Sequence, residues 1–295
     1  MNGTQALMEA LSKTKSKRFK VKHPKRKLFR CNDPLLGVFM WGVNHTVREL
    51  QHIHVPVMLM PDDFRSFSKI TIKNHAYNKE NLPSNFKVKE YCPLVFRNLR
   101  ERFCINDSDF LKSLTVPPRS INPLRGGANY YLSADRLYVI KTLTTEEVEE
   151  MHHFLKQYHP YIVDRHAKTL LPQYLALYRL TVDNMESYMV VIRNVFSAHL
   201  KVHKKYDLKG SRVDREASDK EREKTCPTLK DNDFLADGVK INIGEEGKEG
   251  LMETLGADVD FLSKLNIIGY SLLLGIHDMD RAMEDALDAQ ADEEE

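Results

Sequence analysis

Cysteine is scarce and scattered in this chain. Four residues (Cys31, Cys92, Cys104 and Cys226) share no paired metal-ligand spacing, which argues against a zinc module. A reducing cytosolic or nuclear compartment is the simplest reading. No apolar run approaches the length of a membrane span, and the N-terminus lacks the apolar core of a secretory signal. There are no internal repeats, and the G-x-x-x-x-G-K-[ST] phosphate loop is missing. Single histidines such as His45, His75 and His166 read as structural, and His152-His153 has no partner at ligand spacing, so a metalloenzyme finds no support.

What remains fits a globular protein. At 295 residues, with 42% hydrophobic and 29% charged residues, the chain is long enough to bury a sizeable core. The net charge of +2 hides a strong asymmetry. Residues 13–30 carry ten Lys or Arg and no acid, whereas residues 278–295 carry nine Asp or Glu against one Arg. Each run reads either as a solvated tail or as a docking segment. In the basic one, Lys13, Lys15, Lys17, Arg18, Lys20, Lys22, Lys25, Arg26 and Lys27 are candidates for contact with an anionic membrane, where each gains about 1 kcal/mol. Single-stranded nucleic acid needs aromatics interleaved with the cations. Only Phe19 and Phe29 are offered, so no nucleic-acid partner is expected.

Along the chain, Leu35–Trp41 and Val55–Met60 are candidate buried segments, and residues 93–103 predict an amphipathic helix with a basic face. Pro117-Pro118 and Asn122-Pro123 punctuate a loop. Strands are expected at 130–132, 137–140, 174–180 and 188–193, and a largely apolar strand-like run at 267–276. Helices are expected from Thr144 onward and over 251–265.

Phosphoryl transfer is mostly positioning and charge neutralisation. Lys141 ends an apolar strand, which would hold its ammonium in place, although a lysine after a Val-Ile pair is common on any surface. Glu146, Glu147, Glu149 and Glu150 follow on a helix, and any of them is a candidate ion-pair partner. Gly126-Gly127 suits either a phosphate-approaching loop or a plain hairpin turn.

Longer motifs go further. Tyr188–Ser197, Lys205-Tyr206-Asp207-Leu208-Lys209-Gly210-Ser211, Arg215–Lys220 and Ile267–Gly275 occur in an order that resembles the type II phosphatidylinositol phosphate kinases, the phosphatidylinositol 5-phosphate 4-kinases. Met40–His45, Pro61–Phe64 and Lys89–Pro93 resemble the same group, and the resemblance runs from about residue 20 to residue 280.

The resemblance implies an α+β, two-lobed kinase-like fold with an antiparallel N-lobe sheet and an incomplete C-lobe. It implies a basic flexible tail over 1–27, an N-terminal lobe over 28–200 with dimerisation elements and nucleotide-binding strands, a partial C-terminal lobe over 201–279, and an acidic tail over 280–295. ATP and Mg²⁺ are the implied cofactors. Lys141 would be the phosphate lysine, and Asp207 and Lys209 would sit near the phosphates. Gly127 would belong to the covering loop, and Arg193, Asn194 and Val195 would line the base; no metal ligand is assigned. The implied partners are phosphatidylinositol phosphate in anionic membranes and a second copy or a relative, the protein being peripheral on membranes.

Three departures stand out. The family reads Met-Asp-Tyr-Ser-Leu-Leu where this chain has Ile268-Gly269-Tyr270-Ser271-Leu272-Leu273. Leu124 stands where the family has the first glycine of its phosphate loop. The chain stops within what resembles the family's acidic insert, so the Mg²⁺-binding aspartate and the lipid-selecting loop beyond it are expected to be missing. The expectation is a weak or inactive kinase, or else a non-catalytic dimerising or membrane-docking regulator.

Overall fold

A computed structural model describes residues 29, 31–73, 82–121, 127–196 and 198–285. The basic run from Lys13 to Lys27 and residue Gly126 lie outside the described residues, as does His75. Among the described residues, no helix is long and apolar enough to cross a membrane.

Seven strands form one fully antiparallel sheet: β1 (Phe67–Ile72), β2 (Phe86–Tyr91), β3 (Arg119–Ser120), β4 (Tyr130–Leu132), β5 (Tyr138–Leu143), β6 (Tyr174–Val182) and β7 (Met185–Arg193). Their order is β1-β2-β6-β7-β5-β4-β3. β6 and β7 are joined by a tight turn in which Asp183 and Asn184 both take positive φ, the turn chemistry that matches strand twist. β6 is buried along most of its length and is largely apolar.

Helices α1 (Pro34–Gln51), α2 (Pro93–Arg102) and α3 (Asp107–Leu114) build the core with this sheet. Asp33 caps α1 through the Leu35 N–H, and Pro34 starts it where no N–H is needed. Gly42 lets α1 lie close on β2, since an added Cβ would stand 2.9 Å from a Val88 methyl. The anticipated basic face of α2 is largely committed. Arg100 is wholly buried, paired with Asp107 at 3.0 Å and donating to the Leu175 carbonyl, and Arg97 holds the carbonyls of Leu50 and Ile53.

Helix α4 (Thr145–Asp164) follows β5. The chain then builds a second sheet, β10-β8-β9, from β8 (Lys204–Leu208), β9 (Thr228–Leu229) and β10 (Leu272–Ile276). A one-turn helix α5 (Asp219–Arg222) and α6 (Asp231–Ala236) pack on it, and a long helix α7 (Gly244–Lys264) follows, with Phe261 against the first sheet's core. The second sheet's own core is small, built on Tyr206, Ala217 and Leu229. This is the two-lobed, kinase-like arrangement anticipated from the sequence.

Several segments differ from expectation. Val55–Met60 is not a buried segment: Val57 and Met58 are fully or largely exposed, and only Leu59 is tucked in. Residues 119–120 make a short edge strand inside the expected loop. The run 267–276 is a strand only from Leu272, because Gly269 at φ 79° breaks the extended path and leaves Ile268 90% exposed. The acidic run starts as a helical stretch at 279–285, where Asp285 pairs with Lys201 at 2.6 Å.

Candidate active site

Between the two sheets lies a cleft of about 1280 Å³. Its upper wall starts from β5. Register places Lys141 between Tyr130 on β4 and Val190 on β7. The Lys141 ammonium donates to Glu147 Oε1 at 2.7 Å. That glutamate is fixed by the start of α4. Thr144 Oγ1 accepts from the Glu147 N–H at 3.2 Å, and Glu147 Oε2 accepts from the Thr144 N–H at 2.9 Å. A reciprocal cap of this kind satisfies two otherwise orphaned amides. Burial would raise the Glu147 carboxyl, but the Lys141 and Thr144 bonds and the lysine charge outweigh it and hold it below the usual carboxylate range.

The lower wall is the end of β8, where Leu208, Lys209 and Gly210 face the cleft. Asp231, at the start of α6, organises this turn. Its Oδ1 accepts the N–H groups of Lys209 at 3.0 Å and Gly210 at 2.8 Å, and its Oδ2 accepts from Arg215 Nε at 2.7 Å. Burial pushes this carboxyl up, and those bonds more than reverse it, so it stays ionised well into acid. The side chain of Lys209 crosses to Gly269, whose carbonyl oxygen accepts from Nζ at 2.7 Å. Gly269 therefore faces the same lysine that the lower wall presents, with a neutral carbonyl and no side chain.

The far wall is α7. Asp258 is 3% exposed and accepts three bonds, from Tyr161 Oη, Thr169 Oγ1 and the Leu170 N–H, each at 2.6 Å. Glu253 adds ion pairs with Arg165 and Lys168. These bonds seat α7 on α4 and the loop after it. Burial and the Asp258 carboxylate both push the Tyr161 hydroxyl well above its ordinary pKa, so it remains a donor.

The sequence candidates are thus divided. Lys141 and Lys209 meet in one cleft. Asp207 does not line it: its carboxylate turns toward Arg215 at 3.3 Å, with Oδ1 buried and lacking a well-formed hydrogen bond. Arg193 donates to the Phe103 carbonyl and to Gln173, while Asn194 bridges the Arg136 carbonyl and the Phe196 N–H. Val195 and Gly127 are exposed away from the lining, and Val190 and Ile192 supply the apolar wall beside Lys141. Three residues that sequence reasoning did not single out organise the site: Glu147 as the chosen partner, Asp231 and Asp258. The Thr144-x-x-Glu147 spacing is a capping-box signature that would have selected Glu147 among four acids. Asp231 and Asp258 carry no local signal, because their partners lie far away in sequence.

The donor set does not fit Mg²⁺, which takes near-octahedral oxygen coordination from one or two free carboxylates plus substrate phosphates. Glu147, Asp231 and Asp258 spend their oxygens on protein donors. Glu150 is a lone exposed acid on the rim. Among the described residues, no group of three or more His, Cys, Asp or Glu could hold a metal ion.

Comparison with known proteins adds the lineage. A family model described as phosphatidylinositol-4-phosphate 5-kinase matches residues 112–295. The chain is 56% identical to the chicken (Gallus gallus) phosphatidylinositol 5-phosphate 4-kinase type-2 alpha over 296 residues, covering 99% of this chain and 73% of that protein. It is 56% identical to the human type-2 alpha protein over 96% of this chain and 70% of the relative. Against the human type-2 beta protein it is 58% identical over 92% of this chain and 66% of the relative.

Proposed function

Since the chain belongs to the phosphatidylinositol phosphate kinase family, we propose that its cleft binds ATP and that its own transfer of the γ-phosphate to the 4-hydroxyl of phosphatidylinositol 5-phosphate is weak or absent. The observation that carries this reading is Gly269, whose carbonyl is the partner of Lys209 where the family pattern has a carboxylate. Lys141, steadied by Glu147, and Lys209 would bind the phosphates. Val190 and Ile192 would pack on the base. No residue facing Lys209 at Gly269 can accept a proton from the attacking hydroxyl, and loss of a positioned base costs about 10²-fold or more.

Labelled phosphate transfer from ATP to phosphatidylinositol 5-phosphate vesicles tests this, with the human type-2 alpha relative as standard. The expected rate is below about 1% of the standard; a comparable rate would overturn the reading. A gain of transfer in the Gly269→Asp variant would trace the loss to that one position.

A second reading is a dimerising or membrane-docking regulator of a complete relative, peripheral on anionic membranes in a cytosolic or nuclear setting. It is favoured by the acid-free basic run over residues 13–30. Co-purification with the relative and flotation with anionic vesicles are its readouts.

A further inference from the structure

We propose that this cleft takes its nucleotide as a metal-free polyphosphate anion, gripped by Lys209 and Lys141 with no divalent cation between phosphate and protein. The proposal rests on the reading that ATP enters the cleft, and it concerns how the phosphates are held there.

The charges around the cleft are unequal. Lys141 is balanced by Glu147 at 2.7 Å. Lys209 forms none of the ion pairs found among the described residues; its ammonium rests on the neutral carbonyl of Gly269. A lysine bound to a carbonyl keeps its full positive charge and its remaining N–H donors for another acceptor. The backbone amides beside it are not available to an anion, because Asp231 already takes the N–H groups of Lys209 and Gly210. At this turn an anion meets side-chain charge rather than those two amides, and Lys209 is the unbalanced one.

The acids argue in the same direction. A metal-bridged site needs carboxylates with free lone pairs aimed at the phosphates. Asp258 faces the cleft with both oxygens occupied by Tyr161, Thr169 and Leu170. Glu147 has both oxygens occupied by Lys141 and Thr144. Asp207 lies off the lining, against Arg215. A cation would have to share these oxygens with their protein donors or displace them, each displaced bond costing on the order of 1 kcal/mol. Free polyphosphate asks for no such change. Magnesium bound to the nucleotide would cancel part of the negative charge that Lys209 attracts, so the ion should weaken the complex.

Titration calorimetry of the whole chain with ATP, once in EDTA and once in excess Mg²⁺, tests the proposal. The expected result is binding in EDTA that is as tight as with Mg²⁺ or tighter. Lys209→Gln keeps a donor for the Gly269 carbonyl while removing the charge, and it should weaken binding in EDTA about tenfold. Its circular dichroism and melting temperature establish that it is folded. Gly269→Asp supplies both a counter-charge for Lys209 and a cation ligand, and should turn Mg²⁺ from neutral or harmful into favourable for binding. ATP binding only when Mg²⁺ is present would overturn the metal-free grip while leaving the nucleotide reading intact. No ATP binding in either buffer would overturn both. A folded Lys209→Gln protein with unchanged affinity in EDTA would also overturn the proposal.

Discussion

Gly269 and Lys209 define what one position can decide. Gly269 sits at φ 79°, where an L side chain is strained, yet a Cβ built there meets nothing within 4 Å. The obstacle to a side chain is thus backbone strain alone. Gly269→Ala should cost about 1 kcal/mol in urea unfolding. A cost above about 3 kcal/mol would mean that a contact, rather than the dihedral, is at stake. Aspartate and asparagine tolerate this region better than other residues, which makes Gly269→Asp a reasonable probe of the chemistry. The sequence displayed the glycine plainly. It could not display that the vacated place is bridged by a lysine to a main-chain oxygen, because that contact joins residues 60 positions apart.

At the level of elements, the start of α4 is a device for aiming a carboxylate. Thr144 caps the helix, the cap fixes Glu147, and Glu147 steadies Lys141 on β5. Thr144→Ala should lower stability by about 1 kcal/mol, and it should also loosen ATP binding, which a cap remote from the site would leave alone. Calorimetry on the same sample reads both. Strands β4 to β7 and helix α4 were legible because apolar and β-branched runs and a cap signal fall together there. Val55–Met60 was misread because apolar content does not say whether an element is available to cover it; here Pro56 and Pro61 bracket a segment that joins neither sheet. The strand expected over 267–276 forms only from Leu272, after the positive φ of Gly269. Within the expected basic face of α2, helical spacing does not reveal that Arg100 points at Asp107 and the carbonyl of Leu175.

For the whole molecule, pH is an accessible lever. His159 is buried against Phe64 and bonded to Asn98 at 2.8 Å. Burial, helped by the charge of Arg102, pushes its pKa down to about 4, against about 6.5 in an unfolded chain. Below that unfolded value the unfolded chain binds a proton that the folded one refuses. This contribution to stability is complete above about pH 6.5 and is lost as the pH falls toward about 4. Urea midpoints at pH 7 and pH 5 should therefore separate more for the native chain than for His159→Gln; equal separations would remove His159 from the account. The depressed carboxyl of Asp231 acts with the same sign at more acidic pH. Glu90, raised by burial, acts with the opposite sign.

The three donors gathered on Asp258 have a further consequence. Of these, the Leu170 N–H is a main-chain proton, and it donates to a carboxylate carried by α7. That bond protects it from exchange while α7 stays seated, so its deuterium uptake times the lifting of α7 from α4. A ligand held in the cleft by Lys141 and Lys209 packs against the wall that α7 supplies and should slow that uptake, while leaving the amides within β6 and β7 at their own rates. Asp258→Asn should speed it several-fold. One backbone amide thus serves as an internal stopwatch for the opening of the cleft, readable by mass spectrometry without any label or assay of transfer.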